Sequence, residues 1–148
     1  MEELLLSLDV NLHVDDCQIT KEKITFDVSS ISTSAKCPTC RCKSINIHDS
    51  YTTKIQDLPI QSKTVYLNLL IRRFKCQNPD CSKKTFSETF PFRERNARKT
   101  TRLMKLIVDL AESRSSVGMT KDLEEMGIIV RKSSLCNYLG QKKNSRRL

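Results

Sequence analysis

No tryptophan occurs among the 148 residues, and aromatic residues make up only 5% of them. With 38% hydrophobic and 29% charged residues, one large core is disfavoured. Two modest modules, one of them stapled by a metal, suit this composition better. No apolar run approaches the ~20 residues of a membrane-spanning helix. A secretory signal layout is missing as well. Met1-Glu2-Glu3-Leu4-Leu5-Leu6 is acidic where such a segment is basic, and its apolar run is short. The seven cysteines are an odd number, which argues against a closed disulfide framework.

Excess negative charge is confined to the first 36 residues. These hold three lysines against seven carboxylates, a net of −4, whereas residues 37–148 hold 23 Lys and Arg against ten Asp and Glu, a net of +13. Most charge runs are merely solvated. Here the surplus starts at one cysteine pair and continues to the last residue, as expected of a chain that faces a polyanion.

That cysteine pair is Cys37-Pro38-Thr39-Cys40, and a second, Cys76-Gln77-Asn78-Pro79-Asp80-Cys81, follows thirty-five residues later. Two short pairs separated by a β-hairpin's length of chain are the ligand pattern of a tetrahedral structural zinc site. Proline inside each loop favours the tight turn that aims backbone amides at thiolate sulfur. Cys37, Cys40, Cys76 and Cys81 are therefore the expected ligands of one zinc ion. Cys42 completes a CxxCxC run and is an alternative to Cys40, and His48 is a further candidate. Cys17 and His13 read as ordinary strand residues, with Cys17 packed.

Residues 2–9 suit a short helix. Alternation from Val10 to Val28 predicts a β-hairpin that turns near Thr20 to Lys23. Between the cysteine pairs, Asp57 to Lys63 reads as the hairpin connection, and Val65, Leu67, Leu69 and Ile71 share one face of the return strand. Phe86 and Phe90 would cap the zinc module's small core. Arg93 to Lys99 reads as a flexible basic bridge. From Thr100 the period becomes 3.6: Leu103, Ile107, Leu110 and Ala111 form one stripe, and Met119, Leu123 and Met126 a second, opened by Ser115 or Ser116 and closed by Gly127. A third helix is expected from Lys132, burying Leu135 and Leu139. The pattern reads as a helix-turn-helix.

Taken together, Cys37-Pro38-Thr39-Cys40, His48 with Tyr51, Gln56-Asp57-Leu58-Pro59-Ile60, Arg72-Arg73-Phe74-Lys75-Cys76 through Cys81, and Lys84-Thr85-Phe86-Ser87-Glu88 resemble the zinc-finger region of the ISL-three family of bacterial insertion-sequence transposases. The resemblance spans roughly residues 10–92, and residues 100–141 are similar to the helix-turn-helix that follows in that family. It implies a cytoplasmic, nucleoid-associated protein that grips the terminal inverted repeats of a mobile element. In that family an RNase H-like domain with three metal-binding acidic residues performs DDE-type catalysis. No such domain is legible here, so a non-enzymatic DNA-binding portion is expected, alone, as a homodimer or beside an intact transposase.

The expected fold class is α+β. Residues 1–36 would form a short helix and hairpin packed on a zinc-ribbon module (37–92), followed by a basic linker (93–99) and a three-helix helix-turn-helix region (100–148). Double-stranded DNA would meet Arg72, Arg73, Lys75, Lys83 and Lys84 on the ribbon. It would then run along Arg93, Arg95, Arg98, Lys99 and Arg102, and meet Lys132, Ser133, Asn137 and Gln141 on the last helix, where Asn and Gln suit adenine. Two rivals remain: a zinc-ribbon adaptor for protein or RNA, and a redox enzyme using Cys37 and Cys40.

Overall fold

The computed structural model describes residues 5, 7–113, 118–131 and 133–135. In chain order it contains strands β1 (Leu12–Ile19), β2 (Lys23–Ser30), β3 (Ala35–Lys36), β4 (Lys43–Ser44), β5 (Ile47–Ile60), β6 (Lys63–Lys75) and β7 (Thr85–Ser87). Helices α1 (Thr101–Ser113) and α2 (Met119–Glu125) follow, and residues 133–135 are again helical.

Strand β6 is the spine. Along one edge it pairs antiparallel with β5, from Ile47 opposite Phe74 to Ile60 opposite Lys63. Its other edge is shared: β2 runs parallel to it from Thr64 to Leu69, and β7 pairs antiparallel with Arg73 to Lys75. With β1 outside β2, the result is a mixed five-stranded sheet, and β3 and β4 form a separate two-stranded one. Alternation places Val65, Leu67, Leu69 and Ile71 on one face of β6. There they join Ile24, Phe26 and Val28, covered by Leu5, Leu12, Phe90 and Phe92. Each fully buried aliphatic side chain of this kind contributes ~1.5–3 kcal/mol relative to exposure.

The hairpin between the cysteine pairs is tighter than its sequence indicates. Strand β5 continues through Pro59 to Ile60, and only Gln61 and Ser62 turn, with φ of 51° and 62°. Two successive positive φ values give the two-residue turn whose twist matches the strands. Pro59 is accommodated because the pairing register is irregular between Asp57 and Ile60.

The expected α+β class with a C-terminal three-helix helix-turn-helix is overturned. Among the described residues the protein is mostly β, 41% strand against 19% helix. The apolar stripes exist: Leu103, Ile107 and Ala111 of α1 meet Met119 and Leu123 of α2. They close against the sheet, however, not against a third helix alone. Leu58 of β5 packs into the same cluster, and Ile128 and Val130 fill it from an extended segment. The Gln56 side chain clamps that segment. Its Nε2 donates to the Ile129 carbonyl at 2.9 Å, and its Oε1 accepts from the Ile129 N–H at 2.8 Å. A 3.6-residue period reports an apolar face and leaves its partner unspecified, which is how a helix docked on a strand is read as a bundle.

Helix ends follow their chemistry. Thr100 caps α1, its hydroxyl accepting from the Leu103 N–H at 3.3 Å. Gly127, at φ 91°, ends α2 in a Schellman arrangement: the Ile128 N–H donates to Leu123 O at 2.8 Å and the Gly127 N–H to Glu124 O at 3.0 Å. Met126 is exposed, outside the stripe expected to include it. Ser115, Ser116 and Leu139 lie outside the described residues, as does all but Leu5 and residues 7–9 of the expected first helix.

Candidate metal centre and nucleic-acid interface

The end of the sheet beyond Phe74 has few apolar residues to bury. Phe74 and Phe86 stack with ring centroids 5.9 Å apart, and four cysteines pack against them. The sulfurs of Cys37, Cys40, Cys76 and Cys81 all lie within 4.8 Å of one another. Cys37 and Cys81 sulfurs are 3.9 Å apart, and those of Cys40 and Cys76 3.5 Å. Zinc–sulfur bonds of ~2.3 Å at tetrahedral angles place sulfurs ~3.8 Å apart, so this donor set fits one zinc ion. The four cysteines could hold one zinc ion.

Local backbone builds each side of the site. In the first loop the Arg41 N–H donates to Cys37 O at 2.8 Å and the Cys37 N–H to Cys42 O at 3.0 Å. Arg41 takes φ 62°, which reverses the chain after Cys40. In the second, the Cys81 N–H donates to Asn78 O at 3.1 Å, and the Cys76 N–H to Lys84 O at 2.9 Å. Cys42 is exposed and contributes its carbonyl, and its sulfur stays outside the cluster. His48 is likewise outside it, exposed on β5. Among the described residues this is the only group of His, Cys, Asp or Glu side chains close enough to hold a metal.

The thiols titrate as a set. The Cys40 pKa is lowered to about 6, first by the Cys42 amide pointing at its sulfur and then by the neighbouring thiols. That of Cys76 is pushed up to about 12. The Asn78 amide is the largest single influence on it and pulls it down, but burial and the other sulfurs outweigh that. Cys37 is lowered, mainly by the Cys40 amide, whereas Cys81 is raised by burial and its neighbours against the pull of the Lys83 amide. Cys37 and Cys40 are shifted toward the thiolate and Cys76 and Cys81 toward the thiol, so an arriving cation must displace protons from the raised pair.

The expected DNA contacts fall into three groups. Arg72 and Arg102 are held by carboxylates of the protein. Arg72 Nε donates to Glu88 at 2.8 Å and its Nη2 to Ser32 O at 2.6 Å, and Glu88 is buried. Arg102 Nε donates to the buried carboxylate of Asp57 at 2.8 Å, which also accepts from Thr100 at 2.7 Å. Lys75, Lys84 and Arg98 are exposed, and Lys99 is partly buried, with its pKa lowered by burial and by nearby Arg131. The expected flexible bridge is hydrogen-bonded to β5: the Gln56 N–H donates to Arg98 O and the Thr100 N–H to Gln56 O, both at 2.9 Å.

The third group converges. Arg73, Lys83, Arg93 and Arg95 line two adjoining cavities beside the cysteine cluster, and Pro38 of the first cysteine loop lines one of them. Arg93 is fixed by donation to Ala97 O at 3.0 Å, and burial lowers its pKa. Arg73 keeps a loose contact with Asp49 at 3.3 Å, both side chains well exposed. Tyr51, which stands out in the sequence only as part of a motif, lines both cavities. Its place follows from β5 bringing it beside the return strand opposite Ile71, a register the sequence does not print. Ser133 is exposed, and Lys132, Asn137 and Gln141 lie outside the described residues. Cys17 is exposed, and Phe90 packs in the sheet core instead of the zinc end.

Residues 33–86 match the family described as the zinc-finger of transposase IS204/IS1001/IS1096/IS1165. The matched span contains both cysteine loops, β5, β6 and the start of β7, which supports a transposase-type zinc-finger region there. No curated protein and no solved structure matches the chain. No helix among the described residues is long and apolar enough to cross a membrane.

Proposed function

We propose that this protein is a zinc-dependent DNA-binding protein of transposition, which grips duplex DNA at the terminal inverted repeats of a mobile element. The observation that carries this reading is the convergence of Arg73, Lys83, Arg93 and Arg95 on one groove beside a four-cysteine zinc site, within and just beyond the transposase zinc-finger match. Zinc, when bound, supplies rigidity and no bond-making chemistry. Thiolate ligation fixes the two cysteine loops, β7 is held on β6, and Arg73 and Lys83 are presented at a set spacing. Neutralised phosphates release counterions, which drives binding and makes it salt-dependent.

The test is fluorescence anisotropy with the zinc-loaded protein and short duplexes, one carrying an element end and one scrambled. Binding of the element end should be the tighter, and should weaken with salt along a straight log–log line. Replacing Arg73, Lys83 or Arg95 by alanine should reduce that slope by ~1 each. Equal weak binding to both duplexes, or preference for RNA in direct competition, would contradict the proposal.

A further inference from the structure

The groove is lined by aromatic rings as well as cations: Tyr51, Phe86 and Phe90. It has two lobes that share Tyr51, Lys83, Ser87 and Arg95. One lobe adds Arg73 and Thr85, so cations and hydroxyls dominate it. The other adds Pro38, Phe90, Thr89, Asn96 and Arg93, so apolar walls stand there beside a further cation and a few hydrogen-bonding groups. Glu88 also lines it, but its carboxylate is already engaged by Arg72. Tyr51 is 42% exposed at the junction. It stands on β5, whose outer edge is unpaired among the described residues until Gln56 meets residues 98–100, and the groove runs from it past Arg73 of β6 to Thr85 and Ser87 of β7.

A paired base is stacked inside the duplex and cannot enter such a lobe. A nucleotide whose base is unpaired can place its phosphate among Arg73, Lys83 and Arg95 and lay its base on the Tyr51 ring. Aromatic platforms flanked by cations bind single strands in this manner, because every base has a π face. We infer that this groove is a site for an unpaired nucleotide of DNA, held by phosphate contacts in the lobe that Arg73 lines and by stacking on Tyr51, which both lobes share. The inference rests on the DNA-binding reading and deepens it: the preferred ligand is a duplex with a short single-stranded extension.

The experiment compares, on the zinc-loaded full chain, a blunt duplex with the same duplex carrying a three-nucleotide extension on either strand. Extension on one strand should tighten binding about tenfold, the value of one stacked base. Tyr51→Ala should collapse that ratio to one, and Tyr51→Phe, which keeps the ring, should preserve it. Circular dichroism and zinc content confirm that both variants fold, as expected for an exposed position. Tight blunt-duplex binding with no gain from either extension would overturn the nucleotide site and leave the DNA-binding reading standing. Failure of every duplex to bind would overturn that reading itself. A ratio that survives Tyr51→Ala would also overturn the assignment to this ring.

Discussion

At the scale of single residues, the decisive distinction is between the four sulfur atoms that lie mutually close and a fifth that touches only the edge of the set. Cys42 follows Cys40 by two positions, yet its carbonyl takes the Cys37 amide, the residue is exposed, and its sulfur is not among the four that cluster. Cys42→Ser should therefore retain one zinc per chain, whereas Cys76→Ser should lose it; metal analysis after gel filtration separates the two. The thiol set also fixes a pH dependence. Cys76, pushed up to about 12 in the metal-free cluster, carries a proton at neutral pH that zinc must expel. Protons and zinc compete, so apparent zinc affinity should climb steadily from pH 6 to pH 8 in a competition titration against a chromophoric chelator. A flat profile would mean that the cluster is already fully ionised before metal arrives.

At the scale of elements, the two glycines near α2 separate backbone strain from close contact. Both have positive φ, 78° for Gly118 and 91° for Gly127. A Cβ on Gly118 would meet nothing within 4 Å, whereas one on Gly127 would stand 2.7 Å from the Ser62 carbonyl oxygen in the β5–β6 turn. Gly118→Ala should thus cost ~1 kcal/mol, the left-handed penalty alone. Gly127→Ala should cost at least ~2 kcal/mol, because it adds a steric push against the docked turn. Urea denaturation midpoints decide, and equal losses would show that α2 does not seat on that turn.

Elements also divide what the sequence discloses from what it conceals. Period-two alternation at Ile24, Phe26, Val28 and from Val65 to Ile71 marked the core strands correctly, since a half-buried strand leaves its pattern in adjacent residues. The four cysteines that cluster were legible because metal spacing is local. The parallel pairing of β2 with β6, the clamp of Gln56 on Ile129 and the neutralisation of Arg72 by Glu88 were not. Each joins residues 16 to 73 positions apart, and nothing in either partner's neighbours names the other. Docking of the helices on β5 was hidden for the same reason, so an amphipathic pattern suggested a freestanding helical unit.

For the whole molecule, the arrangement is one sheet with different stabilisation at its two ends. The clusters around Leu67 and around Ile107 are apolar and contain no zinc ligand, while the third consists of two phenylalanines, Ala35 and the ligand cysteines. Zinc ligation of this kind contributes ~10–16 kcal/mol of apparent free energy, as much as an entire domain's stability. Chelation should therefore act locally. Hydrogen exchange should accelerate over residues 35–44 and 74–87, while the middle of β6 and of β2 stays protected. Uniform loss of protection would mean that the sheet has no stability of its own.

The charge distribution fits the same division. The sequence carries −4 over residues 1–36, and the +13 of residues 37–148 includes the four cations of the groove. The most direct measurement is zinc content alongside DNA affinity on protein purified under reducing conditions, before and after chelation. The account predicts one zinc per chain, loss of duplex binding on its removal and recovery on its return. A zinc-free preparation that is well folded and binds duplex DNA as tightly would contradict it.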